Sequence, residues 1–244
     1  MIIIPARLES TRLPRKVLSD LGGMPMIVRT AKNAQKVDEV VVACDDEEIM
    51  QVCKAHNIAS VLTAKSHSSG TDRCAEAANI LGLASESIII NLQADEPFIE
   101  SYVLETLARL TRESDAFLNT LAKVISPDEI TDHNLVKVVV NARKQALYFS
   151  RLGVPYARDG VDTKTLSEYP YLGHLGLYGF RKQYLDEFCA LTQSPLEHIE
   201  KLEQLRALYH GKTIALEVVQ TNSVGIDTPE DLHAAQKYLK ADEI

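Results

Sequence analysis

Four short apolar runs set the frame of this chain: Ile2–Ile4, Glu39–Ala43, Ser60–Thr63 and Ser87–Asn91. Each reads as a strand, and helical patterns separate them. Pro25 is well placed to start a helix whose apolar positions continue through Ala34. Asp45-Asp46 signals an N-cap for a helix through His56. Gly70–Leu81 puts Cys74, Ala77, Ala78 and Leu81 on one helical face, and Ile99–Arg112 is amphipathic. An order of β-α repeated four times predicts an α/β fold with a mostly parallel central sheet and helices on both faces. Such sheets bind ligands beyond the carboxyl ends of their strands, where the loops after Ile4, Ala43 and Asn91 lie.

The second half is more mixed. Phe117–Ile125, Val136–Val140 and Ala146–Phe149 read as strands, the last two joined as a hairpin through Asn141–Gln145. Asp159–Pro170 reads as a polar surface excursion. Leu172–Phe180 is an apolar strand whose Gly173, Gly176 and Gly179 imply close backbone approach. Ser194-Pro195-Leu196-Glu197 is a capping box that predicts a helix over Leu196–Tyr209. A late strand, Ile214–Val219, and a closing helix, Pro229–Ala241, complete the chain as one domain of 244 residues.

Charge narrows the function classes. The net charge is −8, which argues against a generic nucleic-acid or anionic-membrane surface. No apolar run reaches the roughly 18 residues of a membrane span, and Met1–Ile4 is too short for a secretory h-region. Cys44, Cys53, Cys74 and Cys189 show no CxxC spacing, so buried thiols in a reducing cytoplasm are expected. Cys44, His56, His67 and Cys74 match no usual zinc spacing. Against that acidic balance, Arg7, Arg12, Arg15 and Lys16 put four cations in ten positions just after the first strand. Arginine grips phosphate oxygens bidentately and lysine acts as a point charge, so the loop suits a triphosphate. A solvated basic loop is the alternative. The segment is neither a Walker loop nor G-x-G-x-x-G.

Three further constellations carry alternatives of their own. Gln93-Ala94-Asp95-Glu96-Pro97 offers a carboxylate suited to Mg2+, or a plain turn. In Gly225-Ile226-Asp227-Thr228-Pro229-Glu230-Asp231-Leu232, either Asp227 or Thr228 caps the last helix, or Asp227 is a second metal carboxylate. His174 and Tyr178 share a strand face with Gly176, forming a polar slot or a buried pair.

In this order the motifs resemble the 3-deoxy-manno-octulosonate (Kdo) cytidylyltransferases over nearly the whole chain. The resemblance rests on Ile4-Pro5-Ala6-Arg7, Ser10-Thr11-Arg12-Leu13-Pro14, Pro25-Met26-Ile27, Ser69-Gly70-Thr71-Asp72-Arg73, Asp95-Glu96-Pro97, Ala146-Leu147-Tyr148-Phe149-Ser150-Arg151, His174-Leu175-Gly176, Ser194-Pro195-Leu196-Glu197 and Asp227-Thr228-Pro229-Glu230-Asp231-Leu232. It implies a nucleotide-diphospho-sugar transferase type of fold, with residues 1–115 mainly binding CTP. Residues 116–220 would form a smaller mixed β/α region for sugar binding and dimerisation, and 221–244 would return to the metal site.

The implied reaction is attack of the Kdo anomeric hydroxyl on the α-phosphorus of CTP, with Mg2+ as cofactor, in a cytoplasmic homodimer. By the same resemblance Arg7, Ser10, Arg12 and Lys16 hold phosphates, and Ser69, Gly70 and Arg73 contribute to cytidine recognition. Asp95 and Asp227 hold the metal. Gln93, Arg158, His174, Tyr178, Glu203 and Gln204 take the sugar, with Arg158 facing its carboxylate and Glu203 and Gln204 presented by the helix after Ser194. Glu197 is left to the capping box. Three positions depart from the family pattern: Arg15 and Ala94 stand where glycine is usual, and Met24 where lysine is usual. The same chemistry on 8-amino-Kdo or a sialic acid, and a non-catalytic nucleotide-sugar sensor, are the rivals.

Overall fold

The computed structural model describes residues 1–10 and 13–241. The backbone divides into two compact units, Met1–Glu105 with Asn222–Ile244, and Thr106–Thr221.

The first unit is built on four strands: β1 (Ile2–Ala6), β2 (Val40–Cys44), β3 (Ala59–Leu62) and β4 (Ile88–Asn91). They lie in the order β3-β2-β1-β4, every pair parallel. All residues of β1 and β2 are buried. Full burial of an isoleucine contributes about 1.5–3 kcal/mol, so Ile2, Ile3 and Ile4, each 1 % exposed or less, anchor the centre of this sheet. Helices α1 (Met26–Ala34), α2 (Glu47–Ala55), α3 (Gly70–Ile80), α4 (Ser101–Glu113) and, from the far end of the chain, α9 (Pro229–Ala241) accompany it; α4 runs across the boundary of the two units. The expected cap forms where Asp46 accepts from the Glu48 N–H at the start of α2; Ser69, not anticipated as a cap, accepts from the Asp72 N–H at the start of α3. Cys44, Cys53 and Cys74 are buried thiols, while Cys189 is half-buried.

In the second unit, β5 (Leu118–Val124) pairs antiparallel with β8 (Leu172–Arg181) and parallel with β9 (Ile214–Val219). The predicted hairpin forms from β6 (Lys137–Val140) and β7 (Ala146–Ser150), and β6 also pairs with β8. Gly173 does meet close neighbours, since a Cβ there would lie 2.6 Å from Ile125 Cγ2. The α/β class with a mostly parallel mixed sheet is therefore the one expected.

Helices depart from expectation in this unit. The polar excursion contains α5 (Thr163–Glu168), capped by Asp162. An unanticipated α6 (Lys182–Ala190) buries Leu185 and Phe188. The long helix after Ser194 is two helices, α7 (Pro195–Glu200) and α8 (Leu205–Tyr209). Lys201 breaks it at φ 55, ψ 44, a left-handed C-cap without glycine. Glu203 and Gln204 consequently occupy the turn between α7 and α8 rather than a helix face. The Ser194 capping box itself is complete, and Glu197 closes it.

Candidate active site

The loops after β1 and β4 and the segment before α9 meet in a cavity of about 300 Å³ lined by Arg7, Ser10, Lys16, Gln93, Asp95 and Asp227, among others. At its centre the Lys16 ammonium donates to Asp95 Oδ2 at 2.5 Å and to Asp227 Oδ1 at 2.9 Å. Burial opposes the charge on Lys16, yet Asp95 and Asp227 outweigh it and hold the lysine pKa above its ordinary value. Asp227 is available because Thr228 caps α9: the Thr228 hydroxyl accepts from the Asp231 N–H at 3.2 Å. Asp231 in return accepts from the N–H groups of Asp227 and Thr228 at 3.0 and 2.9 Å. Asp95 lies on a turn whose Ala94 carbonyl accepts from the Thr30 hydroxyl of α1 at 2.8 Å. The turn reading of this motif is realised, and the Asp95 carboxylate faces the cavity.

Asp95 and Asp227 are hard oxygen donors already converging on one cation, the lysine. That donor set fits Mg2+, which takes one or two protein carboxylates and completes its shell with phosphate oxygens and water. Among the described residues no cluster of three or more His, Cys, Asp or Glu side chains offers another metal site. Next to this pair, the largely buried Glu96 is pushed up to about 7, first by burial and then by the Asp95 charge.

A second cavity of about 210 Å³ shares Pro5, Arg7 and Gln93 with the first and adds His67, Ser68, Ser69, Gly70 and Arg73. Gly70 is needed for close approach: a Cβ there would lie 3.0 Å from Pro5 Cγ. Arg73 is buried and donates to Thr63 Oγ1, the Ala64 carbonyl and Asp45 Oδ2. Asp45 also accepts from the Leu8 N–H at 3.0 Å, tying the basic loop to β2. Sequence reasoning missed this link; Asp45 and Asp46 read alike as caps, but Asp46 does the capping. Gln93 is oriented from behind, donating to Asn91 Oδ1, while Asn91 donates to the Thr71 hydroxyl. A broader depression of about 780 Å³ beside α2 and β3, lined by Glu47, Met50, Lys54 and Leu62 among others, brings no comparable set of charges together.

In the second unit His174, Tyr178 and Gln204 form one buried cluster. The Tyr178 hydroxyl donates to Gln204 Oε1 at 2.9 Å, and the His174 ring centroid lies 5.7 Å from that of Tyr178. Gln204 Nε2 is buried with no hydrogen-bond partner among the described residues. Burial and then the Glu203 charge keep the Tyr178 phenol protonated. Gly176 does not share this slot, because the irregular pairing opposite Thr120 and Leu121 leaves it exposed. Arg158 is exposed on the Ala157–Gly160 turn.

Thr120 donates its hydroxyl to the Leu177 carbonyl at 2.7 Å and so accepts from His174 Nε2, 2.9 Å away. This network assigns the Nε2–H tautomer of a neutral imidazole. Burial pushes His174 down from 6.5 to about 3. A depressed folded-state pKa gives stability that is complete above the unfolded value and drains away as pH falls from 6.5 toward 3, at up to about 1.4 kcal/mol per pH unit. In His174→Gln the slope of unfolding free energy against pH, measured by urea titration between pH 7 and 5, is expected to flatten. An unchanged slope would show that the imidazole is not held neutral.

Comparison with known proteins decides the family. A family model described as cytidylyltransferase matches residues 1–214. The 3-deoxy-manno-octulosonate cytidylyltransferase of Helicobacter pylori (strain ATCC 700392 / 26695) is 55 % identical over 243 residues, 99 % of this chain and 98 % of that protein. The protein of the same name from Wolinella succinogenes is 50 % identical, covering 98 % of this chain and 99 % of the other. A solved structure of CMP:2-keto-3-deoxy-manno-octonic acid synthetase complexed with CTP matches with a TM-score of 0.90 and 38 % identity, covering 100 % of this chain and 98 % of that one. The chain belongs to the 3-deoxy-manno-octulosonate cytidylyltransferases.

The departures from the pattern of this cytidylyltransferase family now have structural accounts. Arg15 sits at φ 56, ψ 31, where glycine is favoured, and its guanidinium pairs with Glu48 on the surface instead of joining Arg7 and Lys16. Ala94 needs no glycine, for the positive-φ non-glycine residues among those described are Arg15, Asn57, Lys144 and Lys201. Met24 is half-buried in the turn whose carbonyl accepts from the Leu21 N–H at 2.8 Å. Arg12, expected among the phosphate ligands, lies outside the described residues.

Proposed function

We propose that this chain transfers CMP from CTP to Kdo, releasing pyrophosphate and activating the sugar for lipopolysaccharide assembly. The anomeric oxygen of Kdo bonds to the α-phosphorus as the bond to the pyrophosphate oxygen breaks, and the sugar hydroxyl gives up its proton. Such transfers depend on positioning and charge neutralisation rather than on a covalent protein intermediate. The observation that carries this reading is Lys16 clasped between Asp95 and Asp227 in the cavity that also presents Arg7 and Ser10.

Arg7, Ser10, Arg12 and Lys16 bind the triphosphate, and Ser69, Gly70 and Arg73 form the cytidine subsite. Asp95 and Asp227 hold Mg2+, which when bound shields triphosphate charge and acidifies the attacking hydroxyl. Gln93, Arg158, His174, Tyr178, Glu203 and Gln204 recognise the acid sugar. The orphan Gln204 amide and the exposed Arg158 guanidinium support that part, since a sugar acid offers hydroxyls and a carboxylate. Residues 1–115 mainly bind CTP, 116–220 serve the sugar and a homodimer contact, and 221–244 complete the metal site. The working compartment is the cytoplasm.

Pyrophosphate release from CTP and Mg2+ tests the reading, with Kdo, 8-amino-Kdo and a sialic acid offered separately. Kdo is expected to turn over fastest. Turnover of another sugar with Kdo inert would overturn the substrate assignment, and CTP binding without release from any of them would point to a sensor.

A further inference from the structure

Asp95 and Asp227 come from segments 132 positions apart, read from their numbers, so something must fix the spacing of their carboxylates. Among the described residues, several contacts join the two segments within the first unit. The Ile226 N–H donates to the Asp95 carbonyl at 2.9 Å. The Ser223 hydroxyl donates to Glu96 Oε2 at 3.0 Å. The Asn222 N–H donates to Glu100 Oε1 at 3.2 Å. Gly225 lies directly against Glu96: a Cβ there would be 3.0 Å from Oε1, 3.6 Å from Cδ and 3.8 Å from the Asp95 carbonyl.

Glu96 is the residue on which two of these contacts converge, and it adjoins Asp95 in sequence. Its Oε2 is engaged by Ser223 and its Oε1 faces Gly225, so both oxygens address the 223–225 segment. The cavity is lined by Asp95 and Asp227 but not by Glu96. A third metal ligand would present an oxygen to that cavity. Glu96 instead acts from behind it.

We propose that Glu96 is a positioning residue: bonded to Ser223 and packed against Gly225, it holds the Asp227 segment at the separation from Asp95 that a shared cation requires. The inference rests on the reading of Asp95 and Asp227 as the metal carboxylates. Three side-chain properties follow from the geometry. Glu96 must reach Ser223, must accept its hydroxyl proton, and must leave no room for a Cβ at position 225. A glutamine at 96 keeps the reach and an accepting oxygen; an alanine keeps neither.

The test is Mn2+ binding in the presence of CTP, read by electron paramagnetic resonance of the full chain, beside kcat and KM for CTP. Outer-shell partners of metal ligands typically govern metal affinity by about 10–100-fold. Glu96→Ala is expected to weaken Mn2+ binding within that range, and Gly225→Ala and Ser223→Ala to weaken it in the same direction. Glu96→Gln restores affinity close to the native value, which a merely charge-based role would not allow. Binding of CTP in EDTA is expected to stay unchanged in all four variants. Native Mn2+ affinity in both Glu96→Ala and Gly225→Ala, or a Glu96→Gln variant as weak as Glu96→Ala, overturns the proposal. Asp95→Asn separates the two readings. If it abolishes Mn2+ binding while Glu96→Ala keeps the native affinity, the positioning role alone fails; if it leaves Mn2+ binding intact, the metal assignment fails and takes the inference with it.

Discussion

Asp95→Asn is expected to lower turnover by about two orders of magnitude or more, by analogy with removing one preorganised charge-stabilising group from other active sites. The asparagine keeps the size of the side chain and an oxygen that Lys16 can reach. It loses the negative charge that, with Asp227, outweighs the burial of that lysine. Two consequences compound. On the proposed metal assignment a divalent cation would lose one of its two protein carboxylates, and Lys16 loses the partner it meets at 2.5 Å. The Asp95 backbone is untouched, because its carbonyl still accepts from the Ile226 N–H. The loss should therefore be seen in kcat at saturating CTP and Kdo, with the protein still folded at the assay temperature. Near-normal turnover would remove Asp95 from the chemistry.

The second large effect is on stability. Glu197→Ala is expected to cost about 3–5 kcal/mol, because removing one member of a buried ion pair leaves the other charge buried and unpaired. Arg206 donates from Nε to Glu197 Oε2 at 2.9 Å and from Nη2 to Oε1 at 2.6 Å, with both side chains buried. Its guanidinium carbon also stands 4.7 Å from the centroid of the Phe188 ring. The same carboxylate accepts from the Ser194 N–H, so one residue closes the cap of α7 and pins it to α8. Those two helices flank the turn that carries Glu203 and Gln204. Urea unfolding of the second unit's signal should move to a clearly lower midpoint. An unchanged midpoint would mean that the pair is worth no more than an exposed one.

Much of this was legible in the chain, and for physical reasons. The strands β1, β2 and β4 are near-continuous apolar runs because the interior of a parallel sheet is buried on both faces, whereas the edge strand β3 is partly exposed; the ends of β1 and β4 mark the loops where the charged motifs fall. Capping residues also read true: Asp46, Ser194 and Thr228 each accept the N–H expected of a cap. What escaped was local backbone that breaks the usual residue preferences. Lys201 adopts a left-handed conformation with no glycine to announce it, and so splits one predicted helix into two. The irregular pairing of β8 with β5 turns Gly176 out of the slot that strict alternation would give it. Asp45 and Glu96 escaped because their partners, Arg73 and Ser223, are distant in sequence and become neighbours only in the fold. Of the four cations in the opening loop, Arg15 was separable as the one in a glycine position, and it is the one that pairs with surface Glu48.

The most direct measurement is a crystal structure with CTP, Mg2+ and Kdo bound. The triphosphate oxygens should contact Arg7, Ser10 and Lys16, with Mg2+ on Asp95 and Asp227. A triphosphate bound elsewhere, such as the depression lined by Glu47 and Lys54, or a metal that ignores both aspartates, would contradict the account.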